Sequence, residues 1–409
     1  MFSDTRELLK NHSGLIAICF LLMFFSVFGQ SIFFGLYLPQ IQSDLDLTKT
    51  SLGSLYAAAT IASSIIVIYT GRKLDVWPLR YFVTFTLIGL AIGCFTMSLS
   101  YNLVMLFAAF LLLRQFGQGL MTISSNATVN RYLDKNRGKA TALTGLGASA
   151  QLVVFPFLVY GLNEYIEWRT AWVYYGIFIL AVLLPSFWYF LKTHQATTHA
   201  KWAARVKKEQ ESEDKSVKHW TAAEAARDWR IYGLIAVLMI APFTGTVIFF
   251  YQADLAAALD LSLVAFATSF LFMTVAKIFA SLLAGTIIDS YGEKPALIVY
   301  PIIYAAGLWF LVQGDDLPTL YIAMTLLGVA TGFMATIGGP LLASMYGTKY
   351  LSSVKSIVFS SAIVASALSP LMFGYLMDQG VSILTIFFSI IFYAGTIWLL
   401  AFPMCRKKA

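Results

Sequence analysis

The chain is poor in what chemistry in water needs. Charged residues make up 12% of its 409 positions, about half the ~25% of an ordinary soluble domain. Three cysteines (Cys19, Cys94, Cys405) are too few for a disulfide scaffold in a chain of this length. The histidines are His12, His194, His199 and His219, and no Cys or carboxylate cluster completes a ligand set around them. No metal or cofactor is therefore expected. No Asp or Glu falls in the middle of an apolar run, which leaves acid–base catalysis without a buried acid and argues against an enzyme. What the chain has in excess is apolar surface. Hydrophobic residues make up 59%, more than so little charge can cover in a soluble globule and far too many for a disordered chain.

A membrane-spanning helix takes about 20 mostly apolar residues. Twelve such runs are present, at roughly 14–38, 51–70, 80–98, 102–129, 139–161, 170–191, 231–253, 262–287, 295–313, 318–345, 355–377 and 381–404. The expected fold is an all-α integral membrane protein of twelve transmembrane helices. The first run is too long for a signal-peptide core and no A-x-A-like cleavage site follows it, so it is expected to stay as a helix. Pro156, Pro242 and Pro370 lie in mid-span and predict local bends.

The net charge of +7 raises the question of a nucleic-acid partner. The positions of the bases answer it. With an even number of spans and both termini inside, 24 of the 28 Lys and Arg fall on the inner side, and only Lys49 and Arg169 outside. That asymmetry is the positive-inside signature. It predicts a multi-pass cytoplasmic (inner) membrane protein with cytoplasmic termini, acting as a monomer, with the bilayer and a small molecule rather than nucleic acid as its partners. The one long connection, 192–230, is polar and free of Gly and Pro. It separates an N-terminal six-helix bundle (1–191) from a C-terminal one (231–409).

The two halves repeat. Shifted by 214 residues, Tyr37 falls on Tyr251, Leu45-Asp46-Leu47-Thr48 on Leu259-Asp260-Leu261-Ser262, Gly93 on Gly307, Tyr132 on Tyr346 and Pro156 on Pro370. One ungapped offset from span 1 to span 5 implies two pseudo-symmetric bundles, as in transporters built from parallel repeats.

The same offset aligns two polar motifs between spans 2 and 3. The first reads Gly71-Arg72-Lys73-Leu74-Asp75, then Arg80, and the second Gly285-Thr286-Ile287-Ile288-Asp289, then Gly292 and Lys294. They resemble the major facilitator superfamily signature G-x-x-x-D-x-x-G-x-[RK], with Pro78 in place of a Gly in the first copy. The resemblance covers nearly the whole chain. It implies a secondary transporter working by rocker-switch alternating access, and it implies that Gly71, Asp75, Arg80, Gly285, Asp289 and Lys294 form a conformational latch.

Of 49 charged residues, Arg114 and Lys277 alone lie within spans. Arg114 precedes Arg131 by roughly 25 Å of helix and Lys277 precedes Asp289 by roughly 18 Å, too far to snorkel to an interface. A central cation on a lipid face costs on the order of 3 kcal/mol or more, so both are expected to face protein or water. Arg114 continues along one helix face as Gln118, Thr122 and Ser125. Lys277 continues as Ser281 and Gly285, with Thr274 and Ser269 on the other side.

For Arg114 a structural role is as well founded as a binding one. For Lys277 an anionic ligand is the simplest partner, because no intramembrane carboxylate exists to neutralise it. The run Val275-Ala276-Lys277 is similar to span 8 of the monocarboxylate and oxalate–formate porters, which place an arginine there to bind a carboxylate. Here the cation is Lys, and Met273 stands where some of those porters carry a proton-handling acid.

The resulting expectation is a transporter of a small organic anion, monocarboxylate-like, with or without a coupling ion. Lys277, Arg114, Gln118, Gln30, Tyr37, Tyr251 and Gln252 are the candidate substrate-binding residues. The rival is a facilitator exporter of drugs or other hydrophobic compounds, favoured by the 15% aromatic content. Against it, Gly145, Gly147 and Pro156 do not form the adjacent Gly-Pro of the drug-antiporter span 5.

Overall fold

The computed structural model describes residues 2–132, 137–192, 220–292, 294–347 and 350–405. Three histidines of the linker, His194, His199 and His219, lie outside them. So, at the level of side chains, do Asp75, Gly285, Asp289 and Lys294 of the expected latch. All regular structure among the described residues is helical. Among the described residues ten helices are long and apolar enough to cross a membrane, and shorter apolar stretches, Leu297–Val312 and Ile383–Leu399, occupy the other two runs.

The chain divides into two compact units. The first comprises Met1–Asp46 and Leu55–Lys215, the second Leu47–Ser54 and Ser216–Ala409. A short piece of the N-terminal sequence, the start of span 2, thus belongs with the second unit.

In the first unit α1 (Phe2–Phe25) runs into a 3-10 turn, Ser26–Gly29, and the span then breaks: Gln30 is extended (φ −90°, ψ 151°) before α2 (Ser31–Gly35) and α3 (Leu38–Asp44). α4 (Lys49–Gly71), α5 (Lys73–Val76) and α6 (Leu79–Ser98) follow. Span 4 is α7 (Leu103–Leu113), a π-helical stretch Arg114–Met121, and α8 (Thr122–Tyr132). α9 (Arg137–Asn163) continues through Pro156. The last span is α10 (Trp168–Phe178), a π-helical turn Ile179–Leu183, and α11 (184–192). The core between these spans is aromatic. Phe33 packs edge-on against Phe28, Phe155, Trp172 and Tyr175 with ring centroids 5.1–5.7 Å apart, a geometry that adds about 0.5–1.5 kcal/mol per pair to simple burial.

The second unit opens with Trp220, whose ring meets Tyr346 edge-on and whose N–H donates to the Tyr346 carbonyl at 3.0 Å. Thr221 and Glu224 bond each other's backbone N–H groups reciprocally, a capping box that starts α12 (Ala222–Ala225). α13 (Trp229–Leu238) and α14 (Ile240–Phe250) form span 7, interrupted at Met239, with Pro242 in the first turn of α14. There follow α15 (Gln252–Ala258), α16 (Leu263–Tyr291), α17 (Lys294–Val312), α18 (Leu317–Tyr346), α19 (Leu351–Asp378) and α20 (Ile383–Cys405).

The 214-residue repeat reappears in the local geometry of each unit. α3 and α15 occupy equivalent residues. The two non-glycine residues with positive φ among the described residues, Asp46 (49°) and Asp260 (54°), stand at one offset. Gly93 packs on Leu113 and Gly307 on Leu327, the same pair twice.

The N-caps correspond too. Asn102 accepts from Met105 N–H at 2.9 Å and Asp316 from Thr319 N–H at 2.8 Å. Asn102→Ala should cost about 1 kcal/mol, read as a lower melting temperature. For Asp316 the bonds to Thr319 lower the carboxyl pKa from 3.8. Its stabilisation is therefore present above that value and lost as pH falls through the lowered folded-state pKa. The melting-temperature gap between wild type and Asp316→Ala should close on acidification below pH ~4.

Candidate functional site

Arg114 is 2% exposed. Its Nη1 donates to the Gly29 carbonyl at 3.1 Å, and its guanidinium carbon lies 4.9 Å from the centre of the Tyr56 ring. Gly29 is the last residue of the interrupted span-1 helix, where carbonyls have no intrahelical donor. A cation there is favoured by both the open carbonyl and the helix dipole. One guanidinium N–H thus holds span 1 where it breaks, while the buried Nε has no hydrogen-bond partner. Arg114→Lys keeps the charge but loses the planar stack, and should cost about 1–2 kcal/mol, measured by thermal denaturation.

Lys277 is placed differently. It lies in the interior of α16, partly buried, with no hydrogen bond or ion pair to any described residue. Its backbone is fixed tightly. The carbonyls of Met273 and Lys277, one turn apart, lie where side chains on Gly328 and Gly332 of α18 would collide with them. Such small-residue seams let membrane helices touch backbone to backbone. One turn on, Ser281 Oγ donates to the Gly332 carbonyl at 3.0 Å, and Ser269 Oγ to Phe266 at 2.6 Å. Of the polar stripe expected around Lys277, only Thr274 keeps a buried hydroxyl without a partner.

The other candidates separate into engaged and open. Tyr37 is fully buried and its hydroxyl meets that of Tyr175 at 2.7 Å. The Tyr251 hydroxyl shares its proton between the carbonyls of Pro370 (2.8 Å) and Lys49 (3.1 Å). Gln252 is fully buried and donates to Phe249. The two tyrosines thus join distant helices, and the bond of Gln252 is local, to the carbonyl three residues before it. Gln30 and Gln118 are partly exposed, and their side chains carry no hydrogen bond to a described residue. Of the latch residues, Arg80 is stacked between Tyr81 (4.8 Å) and Trp188 (4.3 Å), while Gly71 has only the Ile123 side chain near it.

Other buried polar groups were not singled out from the sequence: Thr60 (3% exposed), Gln115 (4%) and Gln151 (4%) each have a side-chain oxygen without a partner. A signal existed for the first, because Thr60 aligns with Thr274 at the 214-residue offset. Among the described residues no group of three His, Cys, Asp or Glu is placed to hold a metal ion.

This architecture can be compared with known families. The sequence model of the Major Facilitator Superfamily matches residues 19–275 and 233–408. The chain belongs to the major facilitator superfamily. It is accordingly a multi-pass membrane transporter of the secondary type and not an enzyme. Among solved facilitator structures it resembles the nucleoside transporter NupG (15% identity, 96% of this chain and 100% of that one, TM-score 0.71). It also resembles a bacterial homologue of the human lysosomal transporter Spinster in an inward-facing, unoccupied conformation (13%, 97% and 99%, 0.68). A third is a D-xylose–proton symporter (15%, 96% and 97%, 0.66). At these identities the likeness is one of fold. No curated protein matches the chain by sequence.

Proposed function

We propose that this facilitator moves a small organic anion of the monocarboxylate type by alternating access, with Lys277 as the group that binds the carboxylate. The observation that carries this reading is the contrast between the two intramembrane cations. Arg114 has a carbonyl and an aromatic ring, whereas Lys277 has neither an acid nor a carbonyl partner among the described residues. An ammonium in a low-dielectric setting without a counter-charge is costly, and a substrate carboxylate relieves that cost only while bound. Thr274, three residues before Lys277 and with an unpartnered hydroxyl, is suited to donate to the same anion. Asp75, Arg80, Asp289 and Lys294 remain the proposed cytoplasmic latch, Arg80 through its stacked position beside Trp188.

The test is a thermal-shift screen of purified protein against monocarboxylates, dicarboxylates, neutral sugars and nucleosides. Ligand bound to the native state raises the melting temperature by mass action, about 2.7 kcal/mol of stabilisation at a hundredfold excess over Kd. A shift with carboxylates that vanishes in Lys277→Ala supports the proposal. A shift with neutral ligands alone, or one that persists in Lys277→Ala, removes it.

A further inference from the structure

The second unit contains an apolar cavity of about 400 Å³ between span 7, α19 and α20, a size within the roughly 300–1,000 Å³ of ligand pockets. Its wall is made by Met239 and Phe243 of span 7, Phe373 and Leu376 of α19, and Ile386 and Ile390 of α20. Its mouth lies at Met372 and Tyr393, which are 50% and 47% exposed. Phe388 and Phe392 of α20 stand exposed beside that mouth. The cavity is therefore continuous with the apolar surface that these spans present to lipid.

In the first unit, rings fill the corresponding space. At the 214-residue offset Phe25, Phe28, Phe33 and Phe155 fall on Met239, Pro242, Val247 and Ser369. α9 and α19 end, and α10 and α20 begin, 215 residues apart (Asn163 and Asp378, Trp168 and Ile383). In the last span of each unit Tyr175 therefore corresponds to Ile390, and Phe178 to Tyr393. Phe25 meets Phe178 with ring centroids 5.7 Å apart, and Tyr175 meets Phe28 and Phe33 at 5.4 and 5.3 Å. Five rings of the first unit thus have an aliphatic, proline or serine counterpart in the second. Phe243 and Phe373, where the first unit has Gly29 and Val159, return part of that volume, and the cavity is what they leave.

We propose that this cavity is a binding site for one acyl chain of a bilayer phospholipid, which takes the place of the missing rings. Protein interiors leave few voids larger than a water molecule, and an apolar cavity stays dry and takes up hydrocarbon. Among the described lining side chains only Ser389 and Tyr393 are polar, and the Ser389 hydroxyl donates to the Thr385 carbonyl of its own helix at 3.1 Å. A transported solute needs placed polar groups to fix its orientation. An acyl chain needs none, because the bilayer holds its headgroup. The depth agrees. Leu376 lies two residues before the end of α19 and Met239 eleven before the end of α14, roughly 3 and 16 Å along the helices. The cavity thus runs from near one end of the spans to the middle of a ~30 Å hydrocarbon core, the reach of one chain. The inference stands whatever the transported substrate is.

Photolabelling of the full-length protein in dioleoylphosphatidylcholine vesicles tests it. The probe is a phosphatidylcholine carrying a diazirine near the end of one acyl chain, and adducts are mapped by peptide mass spectrometry. In the wild type, adducts on Met239, Phe243 and Ile390 should outnumber those on Phe392, a surface side chain of the same helix as Ile390, 69% exposed. Met239→Phe combined with Ile390→Tyr restores the residues of the first unit. In that double variant adducts on Phe243 should fall at least about fivefold, since packed rings leave no room for a chain. Labelling of Phe392 should not change, and the melting temperature should equal or exceed that of the wild type. Wild-type labelling confined to Met372, Tyr393 and Phe392 would overturn the proposal, because it marks lipid around the protein rather than within it. Undiminished labelling of Phe243 in the double variant would overturn it too. So would a double variant that melts below the wild type, which would mean that the space does not accept the rings.

Discussion

Lys277→Ala is expected to abolish accumulation of a carboxylate substrate while leaving a folded, monodisperse protein. Removing one partner of a desolvated, hydrogen-bonded charge pair costs about 2–5 kcal/mol. At 1.4 kcal/mol per decade that weakens binding by roughly 30- to 3000-fold. Stability should move the other way or stay put. The Lys277 carbonyl, which meets Gly332, is retained by alanine, and an ammonium without a fixed partner contributes no attraction that its removal would forfeit. Lys277→Arg should recover part of the uptake, since charge is kept while shape and reach change. Radiolabelled uptake in cells, paired with thermal denaturation of each variant, separates these outcomes. Wild-type transport kinetics in Lys277→Ala would sink the anion assignment, and a collapse in melting temperature would show that Lys277 is structural.

The second large effect is expected at the seam that positions Lys277. Gly332→Leu should prevent α16 and α18 from closing. The atom that a new side chain would meet is the backbone carbonyl of Lys277, which cannot rotate away as a side-chain tip can. The loss should therefore exceed the roughly 1–3 kcal/mol typical of core overpacking, and the variant should appear as aggregate on size-exclusion chromatography. Gly245→Leu is the control, since a side chain there meets nothing within 4 Å. If both variants behave as wild type, the close approach of the two helices is not a requirement of the fold.

Both predictions concern one small region, and they show how far the residues alone could be read. The spans, the repeat and the exceptional status of Arg114 and Lys277 were visible because the bilayer imposes simple rules. A run of apolar residues must be a helix, bases gather on one side, and a charge in mid-span needs a reason. The repeat extended further than residue identity suggested. The left-handed Asp46 and Asp260, and the caps Thr48 with Ser262 and Asn102 with Asp316, recur at one offset because backbone geometry at a helix end admits few solutions.

Polarity without partners is where sequence was a poor guide. Tyr37, Tyr251 and Gln252 have the same chemistry as a binding residue, and periodicity put them in the right spans. Whether such a group meets a ligand or the protein depends on what lies around it in the fold: Tyr175 and Pro370 come from distant helices to meet Tyr37 and Tyr251, and Gln252 turns back on the carbonyl of Phe249. Asp378 was the opposite case. In sequence it is one of several acids just past a span, and its closest neighbours, Lys49 and Thr50, lie more than three hundred residues away.

By themselves, then, the low charge content and long apolar runs determined that this chain lives in a membrane and that two cations are out of place, and the 214-residue offset that it is built twice over. Those are properties of composition and spacing, which act locally along the chain. Tertiary structure alone decided that Arg114 is occupied by a broken helix end, that Lys277 is held beside a glycine seam with no partner among the described residues, and that Asp378 accepts from the first N–H groups of α4. The reason is physical. A polar group in a low-dielectric interior is defined by the partner it finds, and partners come from distant parts of the chain.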